Sequence, residues 1–272
     1  MGENDDQLLA AGRELAGYLL DRGLTPDMSV LDVGCGYGRL AIGLLDRVHY
    51  RGRYLGFDIL KRQIAWCAAT LTPHYPNLRF THIDVRNDRY NPQGRVDPDH
   101  LRLPAASGSF DMCAMISVCT HLYRPQIERY LGEIERVLKP GGVAVTTWFL
   151  FDEARLPAAM ADDAAYPMRH VLDADTRYTK EGEPLRAIAF HERAMAEMAA
   201  GAGLEIVSIE YGRWTGGEAT HTQDIVLFRR QRARSAVSDG LRDAPWQVRR
   251  YVRAAGRRVR RLGRATGIRS RN

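Results

Sequence analysis

The sequence predicts an open α/β fold on a mainly parallel sheet, and three observations carry that expectation. Short apolar strands alternate with amphipathic helices from Met28 to about Phe149, the pattern of repeated βαβ units. The first three strands each finish in an acid, at Asp32, Asp58 and Asp84. Between the first strand and the helix after it lie three glycines at alternate positions, Gly34, Gly36 and Gly38.

Residues 6–22 place Leu8, Leu9, Leu15, Leu19 and Leu20 on one helical face, so a covering helix is expected there. The first strand, Ser29–Val33, runs into the glycine turn and then a helix over Arg39–Arg47. Glycine has no Cβ and accepts φ > 0, so such a turn lets backbone come close to a ligand. It also aims free N–H groups of the helix start at that ligand. A carboxylate at Asp32 would repel a pyrophosphate and suit an ammonium group. The ligand expected here is nucleotide-like, with a cationic end at the loop.

The second strand, Tyr54–Ile59, ends at Asp58, 20 residues after Gly38. In a doubly wound sheet that spacing brings its tip beside the first loop. There a carboxylate accepts from both ribose hydroxyls and disfavours a 2′-phosphate. The plainer reading of Asp58 is an N-cap for the helix over Lys61–Thr70. A third strand covers Leu78–Val85, and Arg86–Val96 follows as an insertion rich in turn formers. The fourth strand spans Ser109–Ser117, with a helix over Pro125–Leu138. Lys139-Pro140-Gly141-Gly142 then turns the chain into a fifth strand from Val143. Residues 150–186 show no clear period and read as a long binding loop or a solvated excursion. A helix over Phe190–Ala200 and two strands, Leu204–Tyr211 and Gln223–Arg229, close the globular part.

The run Asp32-Val33-Gly34-Cys35-Gly36-Tyr37-Gly38 resembles the first motif of class I S-adenosylmethionine-dependent methyltransferases. The dinucleotide fingerprint spaces its third glycine one residue further on. Phe110-Asp111 at the fourth strand and Leu138-Lys139-Pro140-Gly141-Gly142 also resemble that family, over roughly residues 28–230. The resemblance implies a Rossmann-like, seven-stranded sheet with an antiparallel last strand, and S-adenosyl-L-methionine as cofactor. It places Asp32 with Gly34, Cys35, Gly36 and Gly38 at the methionyl part, and Asp58 with Ile59 at the ribose. Asp84 and Val85 take the adenine, and the backbone at Ser117 completes the site. The covering helix 6–22 then lies by the cofactor, and 150–186 becomes the acceptor-binding insertion of a domain spanning residues 1–230. Ser117-Val118-Cys119-Thr120-His121-Leu122 is similar to bacterial methyltransferases that modify small molecules and glycans. O-methylation of a hydroxyl is therefore the expected reaction, with His121 as general base because histidine titrates near neutral pH. The alternative for His121 is a loop or cap residue; His191 and His221 are weaker candidates, and Tyr90, Tyr211 and Trp214 could line the acceptor site. Competing functions are an NAD-dependent oxidoreductase and a non-catalytic nucleotide-binding scaffold.

The chain of 272 residues carries a net charge of +6 that is unevenly spread. From Arg229 onward stand 15 arginines against Asp239 and Asp243, a local +13 that leaves −7 for residues 1–228. Within 231–272, Val248, Tyr251, Val252, Ala255, Val259 and Leu262 recur at helical spacing among arginines. That tail suits an anionic membrane surface; nucleic acid is a weaker reading. No stretch approaches the roughly 20 apolar residues of a membrane span, and the polar start does not resemble a signal peptide. Cys35, Cys67, Cys113 and Cys119 lack Cys-x-x-Cys spacing, Asp97-Pro98-Asp99-His100 is a poor metal motif, and a reduced cytoplasmic protein is expected, with the tail as the part that would make it peripheral at a membrane.

Overall fold

Each alternation read from the sequence becomes a strand or a helix in the computed structural model, which describes residues 5–216 and 218–231. The elements run α1 (Asp5–Leu20), β1 (Val30–Val33), α2 (Arg39–Val48), β2 (Tyr54–Asp58), α3 (Lys61–Thr70) and β3 (Leu78–His82). Then come β4 (Phe110–Met115), α4 (Arg124–Val137), β5 (Leu138–Trp148), β6 (Leu150–Phe151) and α5 (Leu156–Ala159). The chain continues through β7 (His170–Asp173), β8 (Thr176–Tyr178), β9 (Ile188–His191), α6 (Glu192–Gly201), β10 (Leu204–Glu210) and β11 (Asp224–Arg230). The Arg-rich segment read as a helical tail lies outside the described residues from 232 onward.

Seven strands form one sheet in the order β10-β11-β5-β4-β1-β2-β3. The inner pairs β1–β2, β1–β4, β2–β3 and β4–β5 are parallel. Only β11 runs against its neighbours β5 and β10 in this sheet. This is the Rossmann-like order with an antiparallel-paired last strand. All four residues of β1 are buried, and alternate side chains enter opposite layers. Leu31 and Val33 pack with Ile127, Leu131 and Ile134 of α4, whereas Val30 packs with Leu40, Ala41 and Leu44 of α2 and Leu19 of α1.

α1 lies against α2 through two glycines. A Cβ at Gly43 would sit 1.9 Å from the Gly12 carbonyl oxygen, so the helices touch backbone to backbone there. Outside that seam, Arg13 Nε reaches Asp46 Oδ2 at 2.7 Å. The contact sets where α1 can stand over the sheet.

Four boundaries differ from the sequence reading, each for a local reason. β3 stops at His82, so Asp84 stands beyond the strand. Arg86–Val96 folds back on itself: Val85 bridges Val96, and Asn87 bridges Asn91. β5 begins at Leu138, ahead of the expected turn, because the register with β4 jumps from Phe110↔Leu138 to Met112↔Val143. Lys139–Gly142 is thus taken up as extra length within the strand, with Gly141 at φ 82° and Lys139 Nζ 2.7 Å from Asp111 Oδ1. α6 starts at Glu192, because Phe190 and His191 belong to β9.

The largest difference concerns residues 150–186. They hold a helical turn and most of a second, four-stranded sheet in the order β6-β9-β8-β7. Its strands are two to four residues long, too short for a period to be visible in the sequence. Phe149, Phe151, Met168 and Trp214 form its own small core. Asp224 fastens that core to the main sheet. It is wholly buried and accepts from Leu150 N (2.7 Å), Gly212 N (2.8 Å), Trp214 Nε1 (2.8 Å) and Arg155 Nη2 (3.1 Å). A buried carboxylate with four donors is paired as burial demands.

Candidate functional site

Two clefts open at the carboxyl ends of the parallel strands, where ligands bind in open α/β sheets. The first, of about 340 Å3, lies between the glycine turn, the ends of β2 and β4, the 86–96 insertion and the start of α4. The second, of about 320 Å3, lies between α1, the ends of β4 and β5, and the segment leading into β11. They share one wall, made by Arg39, Ile116 and Ser117.

The glycine turn is shaped by its backbone. Gly34, Gly36 and Gly38 have φ of 76°, 55° and 72°, a region that side-chain-bearing residues avoid. At Gly34 a Cβ would also come within 2.5 Å of Val118 Cγ2. Gly34 and Gly36 line the first cleft; Gly38 instead faces inward, toward Leu71 and Cys67. Four amides of the turn itself are already engaged. Gly34 N and Cys35 N donate to Phe57 O at 2.9 and 3.1 Å, Gly36 N to Asp58 Oδ2 at 2.8 Å, and Gly38 N to Cys35 O at 2.9 Å. So tight a turn occupies these four donors itself, and what they leave to a ligand is close approach.

The acidic strand tips divide. Asp58 lines the first cleft, with Oδ2 accepting from Gly36 N and Oδ1 from Leu60 N, both at 2.8 Å. Each oxygen keeps a further lone pair for a ligand hydroxyl. Burial pushes its carboxyl up and those backbone donors pull it back. Asp32 is also buried but does not line the cleft. Its Oδ2 accepts from the Tyr54 hydroxyl at 2.5 Å, and burial pushes its carboxyl up to about 7 against the pull of that bond. Asp84 is likewise absent from the lining: Arg95 Nε (2.9 Å) and Asn91 Nδ2 (3.0 Å) hold its carboxylate within the insertion. Cys35 is buried beneath the turn. Ile59, Val85, Ser117 and His121 do face the first cleft.

His121 Nδ1 lies 3.0 Å from the Leu185 carbonyl oxygen, so Nδ1 carries the proton and Nε2 keeps its lone pair. Burial holds the imidazole pKa below the usual histidine value. Its ring meets Tyr90 edge-on at 5.3 Å, and its carbonyl accepts from Asn87 Nδ2 at 3.2 Å. Among the residues weighed for the acceptor, His221 lines the second cleft and Tyr90 the first. His191 caps α6, Tyr211 donates to Glu192, and Trp214 is buried on Asp224. From the 150–186 segment only Tyr166 reaches the second cleft.

Sequence reasoning missed Arg39, Asn87 and Gln126 in the first cleft and Glu14, Tyr18, Thr147 and Gln223 in the second. Arg39, as first residue of the helix after the turn, carried a positional signal; the others did not. No group of three potential metal ligands occurs among the described residues.

The first cleft fits S-adenosylmethionine. The glycine cradle leaves no room for a Cβ at Gly34, Asp58 has acceptors for a ribose diol, and Ile59, Val85 and Leu122 offer an apolar slot for a flat base. Residues 30–142 match the family described as "Methyltransferase domain". A sterol 24-C-methyltransferase of Neurospora crassa is 33% identical over 131 residues, 48% of this chain and 30% of that protein. An arsenite methyltransferase of Aquipseudomonas alcaligenes is 34% identical over 113 residues, 42% of this chain and 30% of its own length. A phthiotriol/phenolphthiotriol dimycocerosates methyltransferase of Mycobacterium tuberculosis is 31% identical over 146 residues, covering 52% and 45%. The chain thus spans less than half the length of these relatives. A SAM-dependent methyltransferase from Aquifex aeolicus superposes with TM-score 0.52 at 16% identity, over 84% of this chain and 93% of that one. The [4+2]-cyclase SpnF gives TM-score 0.52 at 17% identity over 85% and 84%. These two likenesses speak for the fold.

Proposed function

We propose, from the premise that this chain is a class I S-adenosylmethionine-dependent methyltransferase, that it methylates a hydroxyl oxygen of a small-molecule or glycan acceptor. The observation behind this reading is the shared wall. An acceptor in the second cleft meets a cofactor in the first across Ser117 and Arg39. Bound there, the cofactor supplies a methyl carbon activated on sulfur. The chain's own residues then chiefly hold and align, which can account for several kcal/mol of a transfer barrier.

The lining of the second cleft favours an oxygen acceptor. Glu14, Tyr18, Thr147, His221, Thr222 and Gln223 all present hydrogen-bonding groups. Gln223 Oε1 is already engaged, while its Nε2 makes no hydrogen bond to a described residue and is not enclosed. An oxygen lone pair is what that N–H lacks.

The hydroxyl proton needs a base, typically contributing about 10²–10⁴-fold. His121 is our first choice, since its neutral ring keeps Nε2 as an acceptor and it lines the first cleft four residues after Ser117, where an acceptor hydroxyl reaching past the shared wall to the methyl group would meet it. Glu14 is the second, because the Tyr18 hydroxyl donates to its Oε1 at 2.5 Å on the acceptor side. Methyl-labelled cofactor offered with panels of hydroxylated and amine acceptors tests the reaction. Label in a methyl ether is expected, and label only on nitrogen or carbon overturns the O-methylation reading. With an acceptor in hand, His121→Ala should slow transfer at least about tenfold, more than it lowers S-adenosylhomocysteine affinity. Full activity there, with the loss appearing in Glu14→Gln, moves the base to α1.

A further inference from the structure

We infer that Gln223, a residue of the second cleft, positions the cofactor wall of the first through Ser117 and Thr147. The inference rests on the cofactor reading above. Ser117 ends the β4 segment at φ 56°, a strained value for a residue with a side chain. Three hydrogen bonds hold it there. Its N–H donates to Thr147 Oγ1 at 2.7 Å, and its hydroxyl donates to Gln223 Oε1 at 3.0 Å. The Thr147 hydroxyl, having accepted from Ser117, donates its own proton to Gln223 Oε1 at 2.6 Å.

The ring is closed: Ser117 donates twice, the Thr147 hydroxyl accepts once and donates once, and Gln223 Oε1 accepts twice. Thr147 on β5 and Gln223 just before β11 are brought together by the antiparallel pairing of those strands, in which Asp224 lies opposite Trp148. Ser117 belongs to both clefts, Thr147 and Gln223 only to the second. A carbonyl oxygen on the acceptor side therefore fixes a backbone turn on the cofactor side. Loss of either Thr147 Oγ1 or Gln223 Oε1 frees Ser117 to leave the left-handed region and reshape the cofactor wall. Neither side chain lines the first cleft, and of the three residues of the shared wall it is Ser117 that they hydrogen-bond, so their effect on cofactor affinity is carried by Ser117.

The test is calorimetric titration of the full chain with S-adenosylhomocysteine, with thermal melts to confirm folding. Thr147→Val and Gln223→Leu are each expected to weaken binding about five- to tenfold, the loss of one or two hydrogen bonds at a strained turn. Thr147→Ser and Gln223→Glu keep the oxygens in place and should stay within about twofold of wild type. In a Ser117→Gly background, where φ 56° carries no strain, adding Thr147→Val should cost less than about twofold. Wild-type affinity in both Thr147→Val and Gln223→Leu overturns the inference, as does equal loss in the conservative pair. A wild-type chain that binds no S-adenosylhomocysteine instead removes the cofactor reading itself.

Discussion

The first cleft takes all its lining from residues 33–130, inside the segment that matches the methyltransferase domain, whereas the second gathers residues from 11 to 225. Apart from the shared wall, every residue of the second cleft lies outside residues 30–142. Sterol, arsenite and phthiotriol-dimycocerosate enzymes match this chain only in part, and their names specify quite different acceptors. The difference teaches where the chemistry of such a chain is held in common and where it is its own. A cofactor cleft built from consecutive βα turns is fixed by local spacing. A second cleft built from a leading helix and the last strands, the one proposed for the acceptor, can change while the sheet beneath it stays.

The strongest way to break this division is at the α1–α2 seam. Gly43→Ala places a methyl group against the Gly12 carbonyl oxygen, only 1.9 Å from the new Cβ. Overpacking of this kind costs typically 1–3 kcal/mol, and a backbone neighbour that cannot rotate away puts it near about 3 kcal/mol. The helix that moves carries Glu14, Leu15 and Tyr18 into the second cleft and nothing into the first. Urea unfolding should show that loss, methyl transfer should collapse, and S-adenosylhomocysteine affinity should stay within about threefold. Equal loss of cofactor affinity would mean that the two clefts are one unit.

Asp58 gives the reciprocal break. Asp58→Ala removes the oxygens proposed for a ribose diol, the bond from Gly36 N in the glycine turn and the bond from Leu60 N at the start of α3. Cofactor affinity should fall by about 1.5–3 kcal/mol, the range for hydrogen bonds to a charged group. Asp58→Asn keeps one oxygen and should recover part of it. Calorimetry that shows no change would take Asp58 out of the site.

These two positions also mark what was legible beforehand. The parallel order, the glycine turn and Asp58 follow from spacing, because strand, turn and helix are adjacent in the chain. Three acidic strand tips looked alike in the sequence, yet only one faces the cleft. Asp58 is the last residue of its strand and can turn outward. Asp32 stands one residue before the end of β1, and the strand's alternation turns its side chain toward Tyr54. Asp84 falls two residues past β3 and is drawn into the insertion by Arg95 and Asn91. The second cleft showed only Ser117 and His221 beforehand, because Tyr18, Thr147 and Gln223 meet only through the sheet order. The second sheet was hidden for another reason, its strands being shorter than one visible period.

Asp32 sharpens the comparison from below, since it tests whether the turn's foundation and its lining are separable. Its carboxyl is pushed up to about 7 by burial, above the roughly 3.9 of an exposed aspartate. A raised folded-state value means stabilisation that is present below pH ~4, where both states are protonated, and is lost as pH rises through about 7. Stability should therefore decline across that window. Asp32→Asn keeps an oxygen for the Tyr54 hydroxyl and removes the titration. The variant should match wild type below pH ~4 and exceed it at pH 8 by a few kcal/mol, up to about 4 for a gap of roughly 3 units. Urea midpoints at the two pH values read this directly. Its S-adenosylhomocysteine affinity should shift less than about threefold, since the side chain lies under the turn and outside the cleft. A tenfold loss of affinity with a flat pH difference would instead place Asp32 among the cofactor's contacts and redraw the floor of the first cleft.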